Sequence, residues 1–254
     1  MYKMKTINPL TVICFMSVFI GLNAQTVDKS EVPLKYTDIL ASSGDNLLEA
    51  DQTAKYLNHD FSGILKAHRI LGIIGDNYQR LQMKFLRIEK NENNPAEYIV
   101  CGQSKVNNNI CNFKGKIVVE KIQETIRFRH GLDNMYKGKY LVSGMLTAKY
   151  ILHEDSTQNN AGLFAGTLHS LWYIDNENNL RYDDMFSFSD RYYNNAFVGT
   201  WQAHRGRKKK ICNFGEYRIP FIKPDFDVGS GEFYPNPKYK NNGWQKYDYP
   251  EEEW

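Results

Sequence analysis

Long apolar runs are scarce in this 254-residue chain. The most apolar stretch, Leu10–Leu22, covers thirteen residues, whereas a helix needs roughly twenty to cross a bilayer. No transmembrane span is expected in the mature protein. Short catalytic signatures are missing as well: there is no His-Glu-x-x-His, no Gly-x-Ser-x-Gly, no phosphate-cradling glycine loop and no Cys-x-x-Cys pair. Metalloprotease, hydrolase-elbow, nucleotide-binding and zinc-ribbon chemistry are left without support, and neither a cofactor nor a metal is expected. Charge of one sign is lacking too. The formal balance is only +3, too small for a global basic field, so specific nucleic-acid binding is not predicted.

What the first residues do contain is an ordered set of export signals. Lys3 and Lys5 form a charged start, Leu10–Leu22 an apolar centre, and Asn23-Ala24 a small-residue exit before Gln25; together these read as a signal peptide over residues 1–24, cleaved after Ala24. The predicted location is secreted or periplasmic. Cys14 lies within the apolar stretch rather than after small residues at its end, so it leaves with the signal and no lipid anchor is predicted. Loss of Lys3 and Lys5 brings the mature balance to about +1. Three cysteines remain, an odd set for an oxidising compartment. Cys101 and Cys111 flank the turn-rich Gln103–Asn109 segment and are predicted to bridge a hairpin as a disulfide. Cys212 is predicted to be a buried, small, apolar thiol.

Alternation supplies the fold. An aromatic-x-Gly pattern recurs at Phe61-Ser62-Gly63, Phe113-Lys114-Gly115, Phe164-Ala165-Gly166 and Phe197-Val198-Gly199, with a looser relative at Tyr140–Gly144. Every second residue from these aromatics is apolar, as in Phe113, Gly115, Ile117 and Val119, while the intervening phase carries Lys114, Lys116 and Glu120. Period two with one wet face predicts antiparallel strands over a single core. Tyr78–Lys90, Tyr98–Val106 and Lys210–Ile219 are further strand candidates, separated by turns such as Asn91–Pro95, Asp175–Asn179 and Arg205–Lys209. The expected class is all-β: an antiparallel up-and-down barrel of about eight strands, with a two-sheet β-sandwich as the alternative. Glycine within a strand suits sharp coiling, provided that a neighbouring ring covers the gap. The domain plan is a lead-in over 25–60 with a short helix at Asn46–Leu57, a barrel over 61–219, and an extended segment over 220–254 whose aromatics pack it on the barrel.

Gly199-Thr200-Trp201 and the other aromatic-x-Gly strand starts resemble the strand openings of calycin-type barrels, the lipocalins and avidins. The resemblance extends over about residues 60–220 as a pattern, and it departs from the family in one respect. The lipocalin Gly-x-Trp belongs to the first strand, whereas here it lies near the end. The resemblance implies a small apolar ligand in the barrel mouth, and no functional residue is carried over. In this chain a carrier's cavity would be lined by Phe164, Trp172 and Trp201; the alternative is that these rings fill the interior, as side chains do in small barrels.

Two further segments carry chemistry. Arg205, Arg207, Lys208, Lys209 and Lys210 crowd a predicted hairpin tip beside His204, and such a cluster either holds phosphate or sulfate groups of an anionic surface or partner or simply solvates a turn. Asp225-Phe226-Asp227-Val228-Gly229-Ser230-Gly231-Glu232 resembles a calcium-binding turn only loosely, because it lacks a third early carboxylate. His153, His204 and His169 are assigned to outward phases, and His59, His68 and His130 to the surface. The expected function is that of an exported, non-enzymatic binding protein, which the resemblance makes a lipocalin-like carrier of a small apolar ligand. Alternatives are an interaction module using residues 205–210 and a glycan-active hydrolase, for which Asp183, Asp184, Asp190, Asp225 and Asp227 are the acids to inspect.

Overall fold

The alternating segments pair in the order in which they occur. The computed structural model describes residues 48–66, 70–126, 130–188, 192–245 and 247; the signal peptide, Cys14, His68, Asp190 and the last residues fall outside that set. Ten strands form: β1 (Leu48–Asp51), β2 (Ile70–Ile74), β3 (Gln79–Asn91), β4 (Asn94–Val106), β5 (Asn109–Thr125), β6 (Tyr140–Glu154), β7 (Gly162–Asp175), β8 (Leu180–Tyr182), β9 (Asn194–Ala203) and β10 (Lys209–Glu216). Each of β2 to β7 pairs antiparallel with the next, β7 pairs with β9, β9 with β10, and β10 returns to β2. The result is a ring of eight strands, an all-β up-and-down barrel. β1 adds to β5 and β8 to β7, both outside the ring.

The bore is occupied by rings. Phe197 stacks on Phe214 at 4.4 Å between centroids and on Phe85 at 5.5 Å, and Tyr150 meets Phe197 edge-on at 5.2 Å. Such volumes fit because the inward phase also contains glycine. Trp172 lies directly over Gly144, its opposite number on β6, where an added Cβ would come within 2.4 Å of the indole. Phe113 covers Gly102 in the same way across the β4–β5 pair. Gly166 and Gly199 face each other across β7 and β9, and the Tyr150 hydroxyl sits over both. Small residues opposite large ones keep the sheet backbone close while filling the interior to native density.

Two local expectations need correction, and one strand had no counterpart among them. Asn46–Leu57 is not one helix: β1 occupies its middle, pairing with the end of β5, and a single helical turn, α1 (Thr53–Tyr56), follows. Phe61 does not open a strand but precedes a second short turn, α2 (Ser62–Leu65), which places Phe61, Ile64 and Leu65 in the core. β2 is the strand that closes the ring, yet Ile70-Leu71-Gly72-Ile73-Ile74 is apolar in both phases. The reason is that both of its faces are covered. Ile70 and Ile74 face the bore, while Leu71 and Ile73 join a second cluster with Phe226, Phe233 and Trp244 from the segment after β10. Trp244 also donates its indole N–H to the carbonyl of Tyr78 at 2.8 Å, and the guanidinium of Arg218 pairs with Asp227 in a half-buried bridge.

The Tyr150 hydroxyl is fully buried without a hydrogen-bond partner among the described residues, and burial drives its pKa well above the ordinary value. Tyr150→Phe is therefore expected to leave stability unchanged or raise it by about 1 kcal/mol, whereas Phe197→Ala should lower it by about 3–5 kcal/mol. Denaturant unfolding of both variants checks this; a clear loss for Tyr150→Phe would mean that the hydroxyl is satisfied by an internal water.

Candidate functional site

Phe164, Trp172 and Trp201 all point into the bore, and each is packed there. Trp172 lies 4.7 Å from the Tyr56 ring and 6.0 Å from Phe61. Trp201 donates its indole N–H to Glu154 Oε2 at 2.9 Å, the same oxygen that accepts the Gly162 amide at 2.7 Å. The Ser104 hydroxyl donates to the other oxygen of Glu154. Sequence alone hid this carboxylate. Glu154 closes β6 on the inward phase, where alternation calls for an apolar residue, and it is buried because three donors converge on it.

The predicted Cys101–Cys111 disulfide does not form. The β4–β5 register sets Cys101 opposite Lys114 and Cys111 opposite Ser104, so the two cysteines are an odd number of rungs apart and project from opposite faces of the sheet. All three described cysteines are free. Cys111 and Cys212 are buried and Cys101 is half-exposed; burial, then the Glu154 carboxylate, push the Cys111 and Cys212 thiols up.

At the end of the barrel carrying Glu154, the β9–β10 hairpin extends into solvent. Arg205, Arg207, Lys208, Lys209 and Lys210 are all exposed, and none has a carboxylate partner among the described residues. Lys210 alone has a contact of note, its ammonium standing 5.2 Å over the Trp201 ring. Elsewhere cations are commonly neutralised, as in Lys116–Glu97, Lys149–Glu120, Arg181–Asp175 and Lys238–Asp225. His204 is tied to the backbone carbonyl of Glu154 at 2.7 Å, which fixes the foot of the hairpin. His153, alongside, is held below its usual pKa by burial and by His204. His169 lies on the outer face, bonded to the Thr147 hydroxyl at 3.2 Å. It is nevertheless mostly buried, beside an outer apolar cluster of Met145, Leu171 and Ala196.

The described acids among those singled out from the sequence are each engaged in separate hydrogen bonds. Asp183 accepts the Met185 amide, Asp184 the Tyr136 hydroxyl, Asp225 bonds Lys238, and Asp227 bonds Arg218 and the amides of Gly229 and Tyr234. Asp183, Asp225 and Asp227 bond within their own segments, and Asp184 ties its loop to the one carrying Tyr136. No group of three or more His, Cys, Asp or Glu with metal-binding geometry occurs among the described residues.

The opposite mouth holds a cleft of about 470 Å³ between α1, the end of β5 and the start of β6. Lys55 Nζ lies 2.6 Å from Glu124 Oε1, and the Tyr56 hydroxyl donates to the same oxygen at 2.7 Å. Burial pushes Glu124 up, but these two donors outweigh it and hold the carboxyl below its ordinary pKa; Lys55 is raised by the same contact. Thr125 and Ser143 share a hydroxyl–hydroxyl bond of 2.7 Å at the cleft wall. No motif announced these residues, because Lys55 and Glu124 are 69 positions apart.

Comparison of the chain with protein-family models, with curated proteins and with solved structures finds no match.

Two outcomes test this geometry. In the protein lacking residues 1–24, a thiol reagent should modify Cys101 readily in the native state and Cys111 and Cys212 only after unfolding; a single titratable thiol in the unfolded chain would instead restore the bridge. Burial brings the His169 imidazole down to about 4 from 6.5. An unfolded chain gains this proton near pH 6.5 and the folded chain only near pH 4. Stability should thus be full above pH 6.5 and fall by up to about 3 kcal/mol as the pH drops towards 4, with His169→Gln flattening that window. An equally steep decline in the variant would assign the loss to other groups.

Proposed function

We propose that the chain is an exported, non-enzymatic binding protein that engages an anionic surface or partner through the Arg205–Lys210 hairpin. The observation that carries this reading is five exposed cations within residues 205–210 that have no carboxylate partner among the described residues. Like charges so close repel one another, and an anionic array relieves that repulsion while an isolated small ion does so only in part. The partner chemistry is therefore a repeated phosphate, sulfate or carboxylate display, such as an acidic polysaccharide or an anionic lipid surface. Nothing in the hairpin reads bases, so specific nucleic-acid recognition is not part of the proposal.

The carrier reading implied by the calycin resemblance asks for empty space in the bore, and the stack of Phe85, Phe197 and Phe214 occupies its middle. The filled interior weighs towards recognition outside it. A glycan hydrolase would need two carboxylates facing across a groove, and the loop-bound acids lend that no support.

Binding of the mature protein to immobilised heparin and to vesicles containing phosphatidylglycerol tests the proposal. Affinity should fall about tenfold or more between about 50 mM and 200 mM salt, and Lys208→Glu with Lys209→Glu should abolish it while leaving the thermal midpoint in place. A double variant that binds both anionic arrays as well as wild type does would remove the hairpin from the account.

A further inference from the structure

We infer that the cleft at the other mouth is a second, independent site, for a neutral hydroxyl-rich molecule of the size of a mono- or disaccharide. Its volume of about 470 Å³ falls within the roughly 300–1,000 Å³ typical of small-molecule sites. The choice of ligand class follows from the charges. Lys55 and Glu124 already neutralise one another at 2.6 Å, so the cleft has no net charge with which to attract an ion. An anionic ligand on Lys55 would meet the Glu124 carboxylate beside it, and a cationic one on Glu124 would meet the Lys55 ammonium, so either charge faces a competing like charge at the same pair.

A neutral polyol meets no such competition. Glu124 Oε1 accepts both the Lys55 ammonium and the Tyr56 hydroxyl, and Oε2 has no partner among the described residues. The ammonium has three N–H groups and gives one to Glu124, so further donors stand beside that acceptor. Neighbouring hydroxyls of a sugar match this pair: one donates to Oε2 while the next accepts from Nζ. The bonds are charge-assisted, and the ion pair survives. The hydroxyls of Thr125 and Ser143 and the imidazole of His59 add polar contacts along the same cleft. Leu141, Val142 and Ile174 give an apolar wall, suited to the C–H face of a sugar ring. Leu141 is 53% exposed although it is a large aliphatic side chain at the start of a strand. A ligand seated in the cleft would cover it.

This site stands apart from the hairpin, since it lies at the other end of the barrel and uses none of the same residues. Saturation-transfer NMR and calorimetry with methyl glycosides of glucose, galactose, mannose and N-acetylglucosamine, and with maltose and cellobiose, provide the test. At least one of these should bind with a dissociation constant of about 1 mM or better, independently of salt, and more tightly than glucuronate or glucosamine. Glu124→Gln should weaken binding about tenfold. Should that variant melt early, Leu141→Ser, which alters an exposed rim side chain, should still reduce affinity several-fold. The Lys208→Glu, Lys209→Glu protein should bind the saccharide as wild type does. The inference is overturned if no neutral saccharide binds at about 10 mM, if a charged sugar is preferred, or if both cleft variants bind unchanged.

Discussion

The space inside an eight-stranded barrel is the constraint on which the rest of this molecule depends. At that strand number the bore is just wide enough for side chains, or for one small ligand in place of some of them. Here the rings of Phe85, Phe197, Phe214 and Tyr150 take that space at mid-height, and Trp172 and Trp201 take it towards the two mouths. Glycines opposite the largest rings make the packing possible. With the interior filled, the two rims are chemically different. One presents positive charge with no carboxylate partner among the described residues; the other presents a compensated ion pair in a cleft.

Much of the fold could be read from the residues because its information is local. Phe113 to Val119, Val142 to Leu152 and Phe197 to Ala203 are strands with the predicted face inward, whereas the bulge at Leu141 turns Tyr140, expected inward, to the outer face beside Tyr173. The hairpin cations could be read for the same reason, since they are adjacent in the chain. β2 could not be read in this way. Its outer residues Leu71 and Ile73 are apolar only because a segment about 150 residues later lies over them, and a strand buried on both faces loses the alternation that would identify it. Phe61 shows the opposite failure: an aromatic-x-Gly that imitates a strand opening but is held in a helical turn by burial among the barrel-end aromatics.

The same distinction explains the site residues. Cys101 and Cys111 are close in sequence across a turn, but register, rather than proximity, decides whether two thiols can meet, and the two-residue turn after Val106 sets a register that separates them. Glu154 was invisible because a carboxylate on an apolar phase has meaning only once Ser104, Gly162 and Trp201 are seen to converge on it. Lys55, Tyr56 and Glu124 come together through the pairing of β1 with the end of β5, a contact between segments with no pattern in common.

The ring is closed by its first strand and its last. β2 finds its second neighbour only when β10 has been made, and its outer face is covered only by residues that follow β10. Until then, each shorter length of chain has an open sheet edge and an uncovered apolar strand, a state prone to pairing with other chains. Closure of the ring thus waits on contacts of long sequence separation, the kind that form slowly. For an exported chain, as proposed above, this arrangement would keep the final shape from locking before the last residues are released.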